Sequence, residues 1–354
     1  MSSDLVWTDP VPVRVLGMGV ALPGDPIGTE ALLYHVEDRF GLNVGERGRA
    51  IARKLGIMTR HLCRPLEAPL EAPRAGHRNP ELAAAAVRDA LLEAGLRTQD
   101  LSYLIGHTAT PAESLPPNIG QVAELVDHQG PFVEFRQACT GFANALIFAL
   151  GLLRAGAGPV AIVGSETGSV FFDPRRIAED KGQLVNLLQM GDAAAAIVLT
   201  RYEGGEGATL SRVFYGQAGR GRAPGLAMSD GGSDAPMVRR GIPEFRHDFV
   251  AIRKHGPDLL LRCAQVAFQA GIKNADRVLP HQVNGRMDTL LASLLRTPRE
   301  RILMNGDRVG NTGSAAMWLG LAQTRAQLRR SESVMALGVE ATDYMFGGFL
   351  YAHG

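Results

Sequence analysis

Three residues stand in settings that suit chemistry: Cys139, His281 and Asn311. In EFRQACTGFANALIFALGL an apolar strand over 132–135 leads to Cys139, and a long apolar helix begins directly after it. The unpaired N–H groups and macrodipole at such a helix start favour a thiolate, and Gly141 allows the backbone to approach closely. Neither Cys63 nor Cys263 has that setting; Cys263, inside LLLRCAQVAF, reads as helix core. His281 follows the apolar strand 278–280 in LPHQVNGRM, and the ends of strands in parallel sheets are where side chains reach an active-site face. It alone among nine histidines follows an apolar strand and a proline, so the others read as structural, with His107 lining the same region without chemistry. Asn311 lies in a Gly-Asn-Thr-Gly-Ser turn ahead of a second apolar helix. Taken singly, these features are also what a buried cysteine, a structural histidine and a helix-capping turn look like. Taken together they bring a nucleophile to two neutral hydrogen-bond donors, an arrangement that stabilises an oxyanion or an enolate.

What brings them together is an internal repeat. Ala94-Gly95-Leu96 aligns with Ala270-Gly271-Ile272, which superposes Asp100 on Asp276. AIVGSE (161–166) aligns with MALGVE (335–340) at an offset of 174, each preceded by an apolar helix. Under that offset Cys139 falls on Gly313, so the Cys139 and Asn311 loops become symmetry mates that open helices on one side of a sheet. Each half reads as strands such as 13–16, 103–106, 160–163, 278–281 and 334–337 alternating with helices that end at glycine. The expectation is an α/β fold of two duplicated halves, 1–205 with the cysteine and 206–354 with the histidine and asparagine. The Gly/Arg/Pro-rich stretch 207–257 and the stretch Arg60–Pro80 read as inserted loops.

Composition narrows the function class. Lys plus Arg is 37 and Asp plus Glu is 36, a formal net charge of +1 that argues against nucleic acid as the main partner. Three widely spaced cysteines without CxxC make a disulfide framework or a structural zinc site unexpected. The apolar stretch 142–153, stopped by Arg154, is too short to span a bilayer, and the acidic N-terminus lacks the pattern of a secretory signal. A cytoplasmic protein with no metal and no membrane partner is expected.

With these motifs in hand, the chain resembles the β-ketoacyl-acyl carrier protein synthase III family of thiolase-fold condensing enzymes. The resemblance rests on LGIMTRH, NPELAAAAVRDALLEAGL, TPAESLPP, the Cys139 segment, MGDAAAAIVL, LPHQVN and GNTGSA. It implies a thiolase-like fold with mixed, mostly parallel sheets in an αβαβα arrangement. It also implies that Cys139 takes an acyl group as a thioester while His281 and Asn311 promote decarboxylation of a malonyl donor. Further implications are backbone oxyanion donors at Cys139 and Val339, and substrate contacts at Lys54, Asn284 and Arg286. Leu115 would reach the acyl tunnel of a partner in a homodimer, and Arg253 and Lys254 would dock the carrier. Acyl-CoA or acyl-carrier thioesters and malonyl-carrier are the implied substrates, with no separate cofactor. The sequence departs from the family where its tryptophan falls at Ala50, where an arginine falls at Lys54, and where a glycine run becomes Gly338-Val339-Glu340. These departures keep open an acyltransferase that passes the Cys139 acyl group to a small acceptor without condensation. An inactive scaffold is disfavoured by the presence of all three reactive residues.

Overall fold

The computed structural model describes residues 6–64, 73–229 and 243–354. The chain opens with β1 (Val6–Asp9) and β2 (Val13–Ala21); β3 (Ile27–Gly28) then pairs with β4 (Thr59–Arg60) around α1 (Thr29–Phe40) and α2 (Gly45–Leu55). Next come α3 (Asn79–Ala94), β5 (Tyr103–His107), α4 (Asn118–Val126), β6 (Phe132–Phe135), α5 (Gly141–Arg154) and β7 (Val160–Glu166). A helix, α6 (Gly182–Gln189), leads to β8 (Ala193–Arg201). The second half starts at β9 (Thr209–Gln217), followed by a hairpin of β10 (Leu226–Ser229) and β11 (Glu244–His247). It continues through α7 (Phe249–Gln269), β12 (Arg277–Pro280), α8 (Met287–Leu295), α9 (Gly306–Val309) and α10 (Ala316–Thr324) to β13 (Ser333–Glu340) and β14 (Met345–Ala352). Among the described residues no helix is long and apolar enough to cross a membrane.

The duplication is visible in the ten-stranded sheet, whose order is β12-β13-β14-β9-β2-β8-β7-β5-β6 with β1 beside β9. The run β6-β5-β7-β8-β2 is answered by β12-β13-β14-β9, and the missing mate of β6 survives as a bridge between Val278 and Ile302. As expected, α3 ends at Gly95 with φ 65°, and α7 is followed by Gly271 with φ 90°. Strand β8 shows why the sheet is covered on both sides. Ala193, Ala195, Ile197 and Leu199 pack into the central cluster with α5 and α10, while Ala194, Ala196 and Val198 pack under α3 and α4. In the other half Val334 and Ala336 face the same central helices, and Met335 and Leu337 face α7 and α8. The αβαβα layering follows, because every central strand has two apolar faces to bury.

Two expectations need correction. Parallel pairing is confined to β5–β6, β5–β7 and β12–β13, and the other ladders of the sheet are antiparallel, so the sheet is mixed but not mostly parallel. The reason is connection length: β13 returns to β14 through residues 341–344, far too short for a crossover helix. The stretch 207–257 is also less of an insertion than its composition suggests. Residues 209–217 form core strand β9, the mate of β2, and α7 is already under way at 249. Of the Arg60–Pro80 stretch, Arg60 is buried and donates to the carbonyl of Leu188 at 2.9 Å, while 65–72 lie outside the described residues.

Candidate active site

Cys139 stands between β6 and α5, as its sequence setting requires. Its ionisation does not follow that setting. Burial pushes the thiol well above its ordinary pKa, and the carboxylates of Glu340 and Glu166 push it further the same way. The expected thiolate is therefore corrected to a resting thiol. A helix N-terminus worth about half a charge is outweighed by desolvation and two nearby acids.

Those two acids are repeat mates, and each reaches across the pseudo-symmetry. Glu340, at the end of β13, accepts the Thr140 N–H at 2.8 Å and the Thr140 hydroxyl at 2.7 Å, next to Cys139. Glu166, at the end of β7, accepts the Ser314 N–H at 3.0 Å and the Ser314 hydroxyl at 2.7 Å, in the Asn311 loop. Glu166 also accepts from Thr110, and Glu340 from Thr342. Each half thus fixes the opening turn of the other half's helix. Both carboxylates are buried, at 2% exposure for Glu166 and 4% for Glu340. Neither is among the site residues expected from sequence, although the matched final letters of AIVGSE and MALGVE were the available signal.

His281 sits at the end of β12, its N–H donating to the Leu337 carbonyl of β13 at 2.8 Å. The same β13 carries Glu340 to the Cys139 turn, so strand pairing brings imidazole and thiol to one region. Its ring is buried to 1% exposure, neither nitrogen has a hydrogen-bond partner among the described residues, and burial lowers its pKa to about 4. The imidazole is neutral at pH 7. Asn311 is tied to the first half on both sides: its N–H donates to Gln189 at 2.8 Å, and its carbonyl accepts from Gly191 at 3.1 Å. A side chain on Gly191 would run into the carbonyl of Val309, so this close approach requires glycine. The Asn311 amide oxygen accepts the Gly313 N–H at 3.1 Å, and Ser314 donates to the Gln137 carbonyl at 3.3 Å, two residues before Cys139. His107 lies beneath, packed against Gly141 and Gly164 with its pKa lowered to about 3 by burial. Gln282, inside the LPHQVN motif, is engaged by the Asn305 and Gly306 N–H groups at 2.8 and 2.7 Å and holds the loop.

The neutral His281 carries a stability consequence. In the unfolded chain it protonates near pH 6.5, in the fold only near pH 4. Above pH 6.5 it contributes nothing, and as pH falls below that value the unfolded state gains the proton first. The cost to the fold is about 2 kcal/mol by pH 5. His281→Gln should therefore lose about that much less stability than wild type between pH 7 and pH 5 in urea titrations. His107 and His247 act in the same direction and Glu166 and Asp192, whose pKa values are raised, in the opposite one, but all are common to both proteins. Parallel profiles would mean the imidazole takes its proton within the fold.

The remaining expected residues are spread around two clefts. One, about 490 Å3, is lined by Arg49, Ala52, Arg53, Gly56, Met58 and Arg286 among others. Arg286 donates to the Arg53 carbonyl at 3.0 Å, and Asn284 accepts the Arg286 N–H at 2.8 Å, so the loop after His281 closes this mouth. Ala50 and Lys54 do not line it: positions 49, 52, 53 and 56 share one helical face and 50 and 54 the next. Arg53 and Arg49, the latter paired with Glu30 at 2.9 Å, stand on the lining face. Val339 lies on β13 opposite Phe346, next to Glu340. Leu115 is 81% exposed, and Arg253 and Lys254 are exposed on α7. The second cleft, about 690 Å3, runs past Ala138 and Glu340 beside the nucleophile.

Comparison with known proteins agrees with this geometry. Residues 133–219, which hold Cys139, match the family model of 3-oxoacyl-[acyl-carrier-protein] synthase III, and residues 268–350, which hold His281 and Asn311, match its C-terminal model. The chain is 29% identical to β-ketoacyl-[acyl-carrier-protein] synthase III of Rhodospirillum centenum, over 96% of this chain and 98% of that one. It is 31% identical to the synthase III of Cereibacter sphaeroides, over 73% of this chain and 79% of the other. Among solved structures, AbyA1, a tetronic acid condensing enzyme, superposes with a TM-score of 0.84 at 26% identity, covering 97% of this chain and all of that one (100%). The chain belongs to the 3-oxoacyl-[acyl-carrier-protein] synthase III family of condensing enzymes.

Proposed function

We propose that this chain performs a decarboxylative Claisen condensation through an acyl-enzyme on Cys139. The observation that carries the reading is a buried, neutral His281 whose ring nitrogens have no partner among the described residues, in the region where β13 and the Asn311 loop meet the Cys139 turn. In the first step the Cys139 sulfur attacks an acyl thioester. A new S–C bond forms, the donor's C–S bond breaks, and the proton of the resting thiol leaves with the released CoA or carrier thiol. Backbone N–H groups of Cys139 and Val339 are the oxyanion donors this reading assigns. In the second step a malonyl thioester loses CO2, and its carbonyl oxygen takes the developing negative charge between His281 and Asn311. Neutral donors suit that task because they need no proton transfer to stabilise an enolate. The carbanion carbon then attacks the Cys139 acyl carbon, the S–C bond breaks with its electron pair on sulfur, a 3-ketoacyl thioester leaves, and the thiolate takes a proton from water to return to the resting thiol.

Acyl-CoA or acyl-carrier donors, malonyl-carrier, a homodimer, carrier docking at Arg253 and Lys254, and a cytoplasmic setting belong to the same proposal. Leu115, whose apolar side chain stands 81% exposed, supports a partner-facing role for its loop. The test of the chemistry is CO2 release from carboxyl-labelled malonyl-carrier. Release that depends on a Cys139-bound acyl group supports condensation. Transfer of the acyl group to a small acceptor without CO2 would support the acyltransferase alternative.

A further inference from the structure

Glu340 joins the two backbone segments that frame the acyl-transfer step. One oxygen of its carboxylate accepts both the Thr140 N–H at 2.8 Å and the Thr140 hydroxyl at 2.7 Å, while the other accepts from Thr342. The Thr140 N–H belongs to the peptide plane that starts at the Cys139 carbonyl, so the contact fixes the backbone on the C-terminal side of the nucleophile. At its other end Glu340 directly follows Val339 on β13, where pairing of Val339 with Phe346 and of Glu340 with Met345 sets the backbone. The N–H groups of Cys139 and Val339, assigned above as oxyanion donors, are thus each one residue away from the two ends of a doubled hydrogen bond. A second contact closes the same seam, since a side chain on Gly338 would run into the Phe142 ring in the first turn of α5. Thr140 precedes α5 and supplies no side-chain cap to it, so the turn is held by a carboxylate from the other half of the chain. Thr140 and Glu340 are both buried, and a hydrogen bond to a carboxylate is of the strong kind.

We infer that Glu340 is a positioning residue for acyl transfer: it ties the Cys139 turn to β13 and so sets the spacing of the Cys139 and Val339 N–H groups around the acyl oxygen. The inference rests on the condensing reading above and adds a residue to its first step. The change of a glycine run to Gly338-Val339-Glu340 supplies the side chain that does this, since a glycine at 340 could make no such contact. Spacing matters because oxyanion donors act within about 2.7–3.1 Å of the charged oxygen. A misplacement of about 1 Å can cost about a hundredfold in rate. Glutamine can reproduce the tie, its carbonyl oxygen accepting from Thr140 and its amide N–H donating to the Thr342 hydroxyl. Alanine cannot. A role that needed the negative charge, as a base does, would be lost in both variants alike.

The experiment measures two reactions of Cys139 in wild type, Glu340→Ala and Glu340→Gln: acylation by acetyl- and butyryl-pantetheine, followed by intact mass, and alkylation by iodoacetamide. For acylation, kcat/KM should fall by about tenfold to a hundredfold in Glu340→Ala and stay within about threefold of wild type in Glu340→Gln. Alkylation forms no oxyanion, so it should be as fast or faster in both variants. Burial holds the thiol's pKa up first and Glu340 adds to it, while Glu166, the other acid that does so, stays in place. A thiol that alkylates freely yet accepts acyl groups slowly is a result that a general loosening of the site would not give. Where Glu340→Ala does not fold, as judged by circular dichroism, Thr140→Ala carries the test. It gives up the hydroxyl contact and keeps the N–H contact, and its acylation should fall by about threefold or more; an unchanged rate overturns the inference. Failure of both thioesters to acylate wild type removes the condensing reading and this inference with it. With wild type loading normally, three results overturn the inference alone: a fall of less than about tenfold in Glu340→Ala, a Glu340→Gln variant more than about threefold below wild type, or alkylation slowed as much as acylation.

Discussion

Cys139→Ser is expected to abolish the acyl adduct seen by intact mass after incubation with thioester donors, a loss of at least about a thousandfold in acylation rate, as for removal of a nucleophile elsewhere. Cys63→Ser and Cys263→Ser should retain it. The difference lies in surroundings, since all three thiols have raised pKa values. Cys63 is fully buried beside Asp192, which accepts its N–H at 2.8 Å, and Cys263 is enclosed in α7 against the carbonyls of Gly338 and Gly347 at 3.6 Å. Cys139 alone is half-buried, and its neighbour Ala138 lines a cleft. Because it rests as a thiol, its reaction with iodoacetamide should rise with pH well beyond the range of an activated cysteine. An adduct that survives in the Cys139 variant would remove the mechanism.

The second large effect separates the two steps. His281→Ala and Asn311→Ala should still acquire the acyl group on Cys139, while condensation with malonyl-carrier falls by roughly 10²–10³ for each lost oxyanion donor. Rapid-quench measurement of the two steps reads them apart. Since His281 is already neutral, its rate contribution should be flat from pH 6 to pH 8. Normal condensation by Asn311→Ala together with normal acylation would take the enolate away from this pair.

Much of this was legible in the sequence because the duplication carries it. Gly95 and Gly271 mark equivalent helix ends, and the offset that pairs AIVGSE with MALGVE also pairs Thr140 with Ser314. The strand at 132–135 and the helix start after Cys139 stand where the apolar pattern places them. Three things were hidden for physical reasons. The antiparallel share of the sheet depends on whether a connection returns as a hairpin or a crossover, which strand composition does not encode. Strand β9 lay inside a Gly/Arg-rich stretch, and its membership in the core comes from pairing with β14 and β1 rather than from its own pattern. The thiol's protonation follows from its burial and then from Glu340 and Glu166, distant in sequence from Cys139 and from each other. The face of α2 that meets the smaller cleft was likewise a matter of helical phase: Arg49 and Arg53 stand on it, and Ala50 and Lys54 on the next.

The central claim is that the carbon of a decarboxylated malonyl unit joins the acyl group held on Cys139. A single-turnover experiment tests it most directly. Enzyme carrying a labelled acyl group on Cys139, freed of excess donor, is mixed with malonyl-carrier, and protein mass, CO2 and product are followed together. The account predicts that loss of the Cys139 adduct, release of CO2 and formation of a 3-ketoacyl thioester rise in equal amounts with one rate. Loss of the adduct without CO2, or CO2 release that leaves the adduct in place, would contradict it.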